Sequence, residues 1–293
     1  MKPAPFEFAR PASLAEALEV LAANPDAKVL AGGQSLVPLL SMRLASPRMV
    51  VDINGISELA YVRSDDDGVR VGALARHADV ESDADACRTQ PLLCIALRQV
   101  AHQTVRNRGT TVGSIVHADA AAEMPAVLSL LGGRVTAVSS SGSRDVAAPD
   151  LYVGPMESAL RHDEIAVEAF FPAIAEQSGV AFDEVSRRRG DYALCGVAAL
   201  VQLSGAQVVS VRAGYLAVCE VPTVVDLTAG FPDGSLAGRN LDDAADLALA
   251  ALDPVTDIHA SAAYRRQLVR ALTRRVVAAA HQHGLARAGE GAR

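Results

Sequence analysis

Tryptophan is absent from the 293-residue sequence, which has only five tyrosines and six phenylalanines. With so few large rings, the cores must be built from Ala, Val and Leu, a choice that suits helices packed on sheets. Cysteine is scarce as well. Cys87, Cys94, Cys195 and Cys219 are scattered, with neither the paired spacing of zinc sites nor the clustered thiolates of iron–sulfur centres. The expectation is four ordinary buried thiols and no metal ligands. No run approaches the roughly 18 to 20 apolar residues that span a bilayer, and the start "MKPAPFEFARPAS" lacks the apolar core of a signal peptide, so the cytoplasm is the expected compartment. Positive charge is in deficit, 27 Lys and Arg against 34 Asp and Glu, for a net charge of −7. That balance argues against a nucleic acid or an anionic membrane as the main partner, since both call for a basic face.

What is present divides the chain. "SLAE" reads as a capping box that starts a helix over about 13–23, with Ser13 as the cap and Glu16 answering it. "KVLAGG" reads as a buried strand ending in glycines. "SLVPLLSMRLAS" sets Leu36, Leu39, Leu40 and Leu44 at helical spacing behind a Ser35 cap. "MVVDI" and "VRVGAL" are strand-like. A helix over about 91–103 starts at a proline. The loop 108–119 then runs into an apolar helix that stops at Gly132-Gly133. "RVTAVSSSGSRDVAA" is a hairpin, and "DEIAVEAFFP" a strand ended by Pro172. Beyond a polar boundary at 172–179 the rhythm changes. Strands near 180–187, 194–203 and 207–219 suggest an antiparallel meander, closed by helices near 241–252 and 259–282. The expected units are 1–57, 58–175 and 176–284, with a frayed tail at 285–293.

Two stretches, 31–35 and 108–119, combine glycines with small hydroxyl or amide residues ahead of an apolar segment. Exposed backbone N–H groups at such places form concave anion sites, although turns of this composition also occur without a ligand. Neither stretch is a G-x-x-x-x-G-K-[ST] or a G-x-G-x-x-G, which counts against a nucleoside triphosphatase and a Rossmann dehydrogenase.

"AGGQSLVPLLSMRLASP", "VRNRGTTVGSIVHADAAAEMP", "RRRGDYALCGVAA" and "YRRQLVRALTRRVV" occur in an order and spacing that resemble the FAD-binding medium subunits of the molybdenum hydroxylases, the xanthine and carbon monoxide dehydrogenase flavoproteins among them. The resemblance implies an α+β fold: a two-subdomain FAD-binding unit of the vanillyl-alcohol-oxidase (PCMH) type, followed by a C-terminal domain of antiparallel sheet and helices. By the same resemblance Ala31, Gly32, Gly33, Gln34, Ser35 and Leu36 wrap the pyrophosphate, and Thr110, Thr111, Gly113 and Ser114 form the second wall. Glu123 takes the place of a ribose-binding acid, and its bare alternative is a helix-start carboxylate. His117 and Asp119 fall beside the flavin and Tyr192 near the isoalloxazine, against the alternatives of a structural histidine and a sheet tyrosine. The "RRR" at 187–189 reads as a solvated basic turn. One departure is Val112, where many members have glycine; either the backbone there is ordinary or the second loop has shifted.

The implied role is electron transfer inside a heterotrimer, with no catalytic residue assigned to this chain. A small subunit would carry two [2Fe-2S] clusters and a large subunit molybdopterin cytosine dinucleotide, the whole expected as a dimer of heterotrimers. Electrons would pass to an external acceptor. The implied substrate of the assembly is an N-heteroaromatic compound or another small molecule such as CO or an aldehyde. The competing readings are a self-sufficient FAD-dependent oxidoreductase with its own organic substrate, and an assembly subunit whose glycine loops are only turns.

Overall fold

A computed structural model describes residues 2–291. The chain begins with β1 (Glu7–Ala9), α1 (Leu14–Ala23), β2 (Ala27–Leu30), α2 (Leu36–Met42) and β3 (Met49–Asp52). Its three strands pair in parallel, in the order β1-β3-β2. Parallel strands direct their carboxyl ends to one edge, where ligands are commonly held in open α/β sheets. Residues 31–35 leave that edge directly from β2. The Ser13 hydroxyl caps α1 by accepting from Glu16 N–H, while the Glu16 carboxylate reaches Ala12 N–H, one residue before the position a standard capping box uses.

Next come β4 (Val62–Ser64), β5 (Gly68–Gly72), α3 (His77–Ser82), α4 (Ala84–Thr89), α5 (Pro91–Leu97), α6 (Gln103–Arg106), α7 (Thr111–His117) and α8 (Glu123–Leu131). They are followed by β6 (Arg134–Ser139), β7 (Gly142–Ala147), α9 (Ala148–Leu151), β8 (Tyr152–Gly154), β9 (Glu157–Ser158) and β10 (Ile165–Pro172). Five of these strands make an antiparallel sheet, β4-β5-β10-β6-β7. The last part holds β11 (Ser178–Ser186), β12 (Ala193–Ser204), β13 (Gln207–Leu216), β14 (Thr223–Asp226), α10 (Gly238–Ala251) and α11 (Ala262–Gly291). Its sheet is the expected antiparallel meander, extended by β14.

The long apolar run of β12 follows from burial on both faces. Cys195, Val197, Ala199 and Val201 join a core with Val269, Leu272 and Val276 of α11. Ala193 and Ala198 belong to the opposite core, with Leu92 and Leu97 of α5 and Met124 and Leu128 of α8. The C-terminal sheet is therefore packed directly against the helices that flank residues 108–122.

Several local expectations are corrected. The helix expected over 91–103 stops at Leu97, and Ala101 takes a left-handed φ of 45°. Its carbonyls are diverted: Arg106, paired with Glu81, takes those of Val100 and Ala101. Leu44 lies outside α2, because Arg43 is left-handed and the Leu44 N–H turns back to the Leu39 carbonyl. Cys87 and Cys94 are joined in a disulfide rather than standing as thiols; the break between α4 and α5 brings their Cα atoms to 5.4 Å. Cys195 is a buried thiol and Cys219 a half-buried one.

The expected fraying from 285 is also corrected, since α11 continues to Gly291; Ala292 and Arg293 of that tail lie outside the described residues. The reason is docking on β11. Val180 N–H donates to His283 Nδ1 at 3.0 Å, and Arg287 donates to the Ser178 carbonyl at 2.7 Å. Gly179 makes this approach possible: a Cβ there would lie 1.9 Å from the Ala280 carbonyl oxygen. Gly179→Ala is expected to lower the unfolding free energy by about 2–3 kcal/mol through overpacking against backbone, measurable by chemical denaturation.

Candidate functional site

A cleft of about 1310 Å³ is lined by residues from all three sheet-bearing regions, including the glycine loop, α7, the start of α8 and Tyr192. One constraint shapes its floor. A Cβ on Gly32 would lie 2.5 Å from the Arg108 carbonyl oxygen, 2.7 Å from Gly109 Cα and 2.9 Å from Thr110 N. The two loops singled out in the sequence thus touch backbone to backbone, and only glycine permits the contact. Gly33 turns the chain into α2 with a left-handed φ of 73°.

The N–H groups at this junction are largely unspent. Among the described residues no hydrogen bond uses those of Gly32, Gly33, Gln34 or Ser35, nor those of Thr110 and Val112. Ser35 precedes α2 without its side chain capping the helix. Unpartnered N–H donors on residues that line one cleft suit an anion, since backbone amides without a protein acceptor can donate to it. FAD, with its pyrophosphate, fits such a donor set.

On the second wall, α7 replaces most of the expected loop 108–119. Thr110 caps it by accepting from Gly113 N–H at 3.2 Å, and a Cβ on Gly113 would lie 2.5 Å from that hydroxyl. Val112 is helical and buried, so valine in place of glycine demands no unusual backbone. Ala31, Gly32, Gly33, Gln34, Ser35, Leu36, Thr110, Gly113, Ser114, His117, Asp119, Glu123 and Tyr192 all line the cleft. Thr111 does not. It is fully buried, and its hydroxyl lies 3.2 Å from His77 Nδ1 beneath the loop.

The charged groups of the cleft sit in poor solvent. Glu123, at the first position of α8, is buried, and desolvation above all, with the neighbouring Asp119 charge, lifts its pKa to about 7. Glu184 of β11 is lifted to about 8, by burial first and then by the Glu123 charge. His117 is held below its usual range by burial, with Lys28 acting the same way and Asp119 opposing. Asp119 accepts from Ala121 N–H at 2.9 Å, which fixes the turn into α8. The Tyr192 ring is exposed, while desolvation of its phenol, then Asp119 and Glu123, raise its pKa against a hydrogen bond with Ser35. Tyr192 therefore brings the C-terminal region to the first loop.

Sequence reading missed the supports beneath the loops. Asn54 and Arg76 connect them, and His77 is buried under the second loop, where desolvation drops its pKa to about 4 and keeps the ring neutral. A signal for Asn54 did exist: "DIN" places polar side chains at the carboxyl end of a parallel strand.

Glu123 gives the cofactor-free protein a defined pH response. Its pKa rises from the ordinary 4.5 to about 7 on folding, so between those values the native state binds more protons than the unfolded chain. The stability it contributes is complete below pH 4.5 and is lost as pH rises through about 7. Glu123→Gln is expected to recover on the order of 1–3 kcal/mol above that window and almost nothing at acidic pH, as read from denaturant unfolding across the range.

Comparison with known proteins bears on the same residues. The family model described as "FAD binding domain in molybdopterin dehydrogenase" matches residues 4–174. A second, "CO dehydrogenase flavoprotein C-terminal domain", matches 180–280. The chain is 40% identical over 288 residues to the 6-hydroxypseudooxynicotine dehydrogenase complex subunit alpha of Paenarthrobacter nicotinovorans, covering 96% of both chains. Among solved structures, quinoline 2-oxidoreductase from Pseudomonas putida 86 superposes with a TM-score of 0.91 at 38% identity, over 97% of this chain and 100% of that one. A carbon monoxide dehydrogenase from Hydrogenophaga pseudoflava gives 0.91 at 31% identity, over 97% and 99%. With both halves matched in order and nearly the full length covered, the chain belongs to the FAD-binding medium subunits of the molybdenum hydroxylase family.

Proposed function

We propose that this chain is the electron-transfer subunit of a heterotrimeric molybdenum hydroxylase, taking electrons from the [2Fe-2S] clusters of a small subunit and delivering them to an external acceptor. The observation that carries the reading is the pair of backbone loops in contact at Gly32, with unspent N–H groups on residues that line one long cleft. When bound, FAD supplies chemistry that collects two electrons from carriers of one. The chain itself binds and orients. Gly32 to Ser35 would hold the pyrophosphate from one side and Thr110, Val112, Gly113 and Ser114 from the other. Glu123 would accept from ribose hydroxyls, and Tyr192, reaching over from beyond β11, would border the isoalloxazine with His117 and Asp119. No residue is assigned as a general acid or base, because the protein's part is positioning and electrostatics.

In this reading the molybdopterin subunit carries substrate oxidation. An N-heteroaromatic substrate is favoured, because the relatives named for nicotine-derived and quinoline compounds are more similar to this chain than the one named for carbon monoxide. The units 1–57, 58–175 and 176–284 are proposed as two FAD-binding subdomains and a covering domain, the divisions falling between the three main sheets. A dimer of heterotrimers is the proposed assembly.

Reconstitution tests the proposal. The full chain should take up FAD with a flavin spectrum, stay oxidised when mixed alone with heteroaromatic substrates, and bleach only once the two partner subunits are added. Bleaching by substrate without those partners would mean a self-sufficient flavoenzyme. Gly32→Ala should weaken FAD retention roughly tenfold or more by forcing the loops apart. A folded Gly32→Ala protein with unchanged FAD affinity, read by fluorescence titration, contradicts the cradle. Gly33 is the poorer site for this test, since its positive φ strains any side chain.

A further inference from the structure

The unspent N–H groups are useful to a phosphate only if both loops keep their separation, and glycine permits close approach without enforcing it. One enforcing contact lies on the far end of such a peptide group, at the Ala31 carbonyl, and the other on the Arg108 carbonyl that lies against Gly32. Asn54 Nδ2 donates to the Ala31 carbonyl at 2.8 Å and to Asp52 Oδ1 at 2.5 Å. Asn54 Oδ1 accepts from Arg76 Nη2 at 2.7 Å, and Arg76 Nη1 donates to the Arg108 carbonyl, also at 2.7 Å. One unbroken series thus runs from the carbonyl that precedes Gly32 to the carbonyl that lies against Gly32.

The Ala31 carbonyl matters for the direction of an N–H and the Arg108 carbonyl for the separation of the loops. A peptide group is planar and trans, so holding the Ala31 C=O toward Asn54 turns the Gly32 N–H the opposite way. The series is itself anchored. Asp52 accepts from Asn54 N–H at 3.0 Å and lies 3.7 Å from Arg10. Arg76 N–H donates to Asp79 at 2.9 Å, and His77 N–H donates to the Gly109 carbonyl at 2.9 Å. Arg76 is half-buried, with desolvation and then Arg108 acting against its charge while Asp79 and Asp52 support it. The arrangement uses a forked donor to reach two acceptors in fixed directions, which a lysine ammonium on a flexible stem does not reproduce.

We propose that Asn54 and Arg76 are positioning residues that lock the two loops in the register the FAD pyrophosphate requires, without touching the cofactor. This rests on the reading of the cleft as an FAD site. Because the contacts are in series, breaking either one disconnects the loops, and breaking both adds little more. The effect should fall on the phosphate-bearing part of the ligand.

Titration of the full chain with FAD and with ADP, for wild type, Asn54→Ala, Arg76→Lys and the double variant, tests this. Each single change should weaken FAD and ADP by the same factor, roughly tenfold or more. The double variant should lose no more than about twofold beyond the weaker single. The thermal midpoint of each cofactor-free protein should stay within about 3 °C of wild type, so that lost affinity is not lost folding. If one variant folds poorly, the other carries the test. Unchanged affinities, multiplying losses, or an FAD loss without an ADP loss overturn the clamp while leaving the FAD site intact. If the wild-type chain takes up neither ligand, the FAD reading fails and the clamp with it.

Discussion

The contact between Gly32 and the backbone of Arg108 to Thr110 is the constraint on which the site depends. A single Cβ at Gly32 would fall inside contact distance of three backbone atoms, so the loops come to a separation no other residue allows. That closeness gathers N–H groups from two distant parts of the chain around one small volume. A flexible loop could present the same donors, but it would have to order them on binding, at a cost of about 1–2 kcal/mol for each residue fixed. Here the fold has met much of that cost beforehand.

The rest of the molecule supports that junction. The parallel strands β2 and β3 bring residues 31–35 and Asn54 to one edge. The antiparallel sheet anchors Ala75 and Arg76, whose bridge to Thr110 fixes the second loop. The C-terminal sheet packs on α5 and α8 and sends Tyr192 back to Ser35. Its attachment is further secured by the Ala217 N–H, which donates to the Ala120 carbonyl at 2.7 Å in the turn that carries Asp119 and Glu123. Desolvation is the common electrostatic theme: Glu123, Glu184 and His77 are all driven toward their neutral forms.

Much of this was legible in the sequence because it rests on local chemistry. The Ser13 cap, the glycine-ended strand, the Ser-Gly hairpin and the meander each follow from residues close in the chain. The two glycine loops and the residues of the cleft were legible too, apart from Thr111, whose burial against His77 depends on a partner 34 positions away. The same distance problem hid the Asn54–Arg76 link and the Arg106–Glu81 pair beside the early end of α5 at Leu97, whereas the nearby Cys87–Cys94 pairing was hidden by the break between α4 and α5. Val112 was legible only as a departure; its harmlessness follows from α7, which the glycines and hydroxyls of that stretch disguised as loop.

The central claim is that the loops at 32–35 and 110–112 form one cradle for a diphosphate. Hydrogen exchange of the full chain, with and without FAD, tests it most directly. Their unpaired N–H groups should exchange quickly in the cofactor-free protein and gain protection together, at the same FAD concentration, in both segments. Protection confined to one segment, or appearing elsewhere while both exchange as before, would contradict the account.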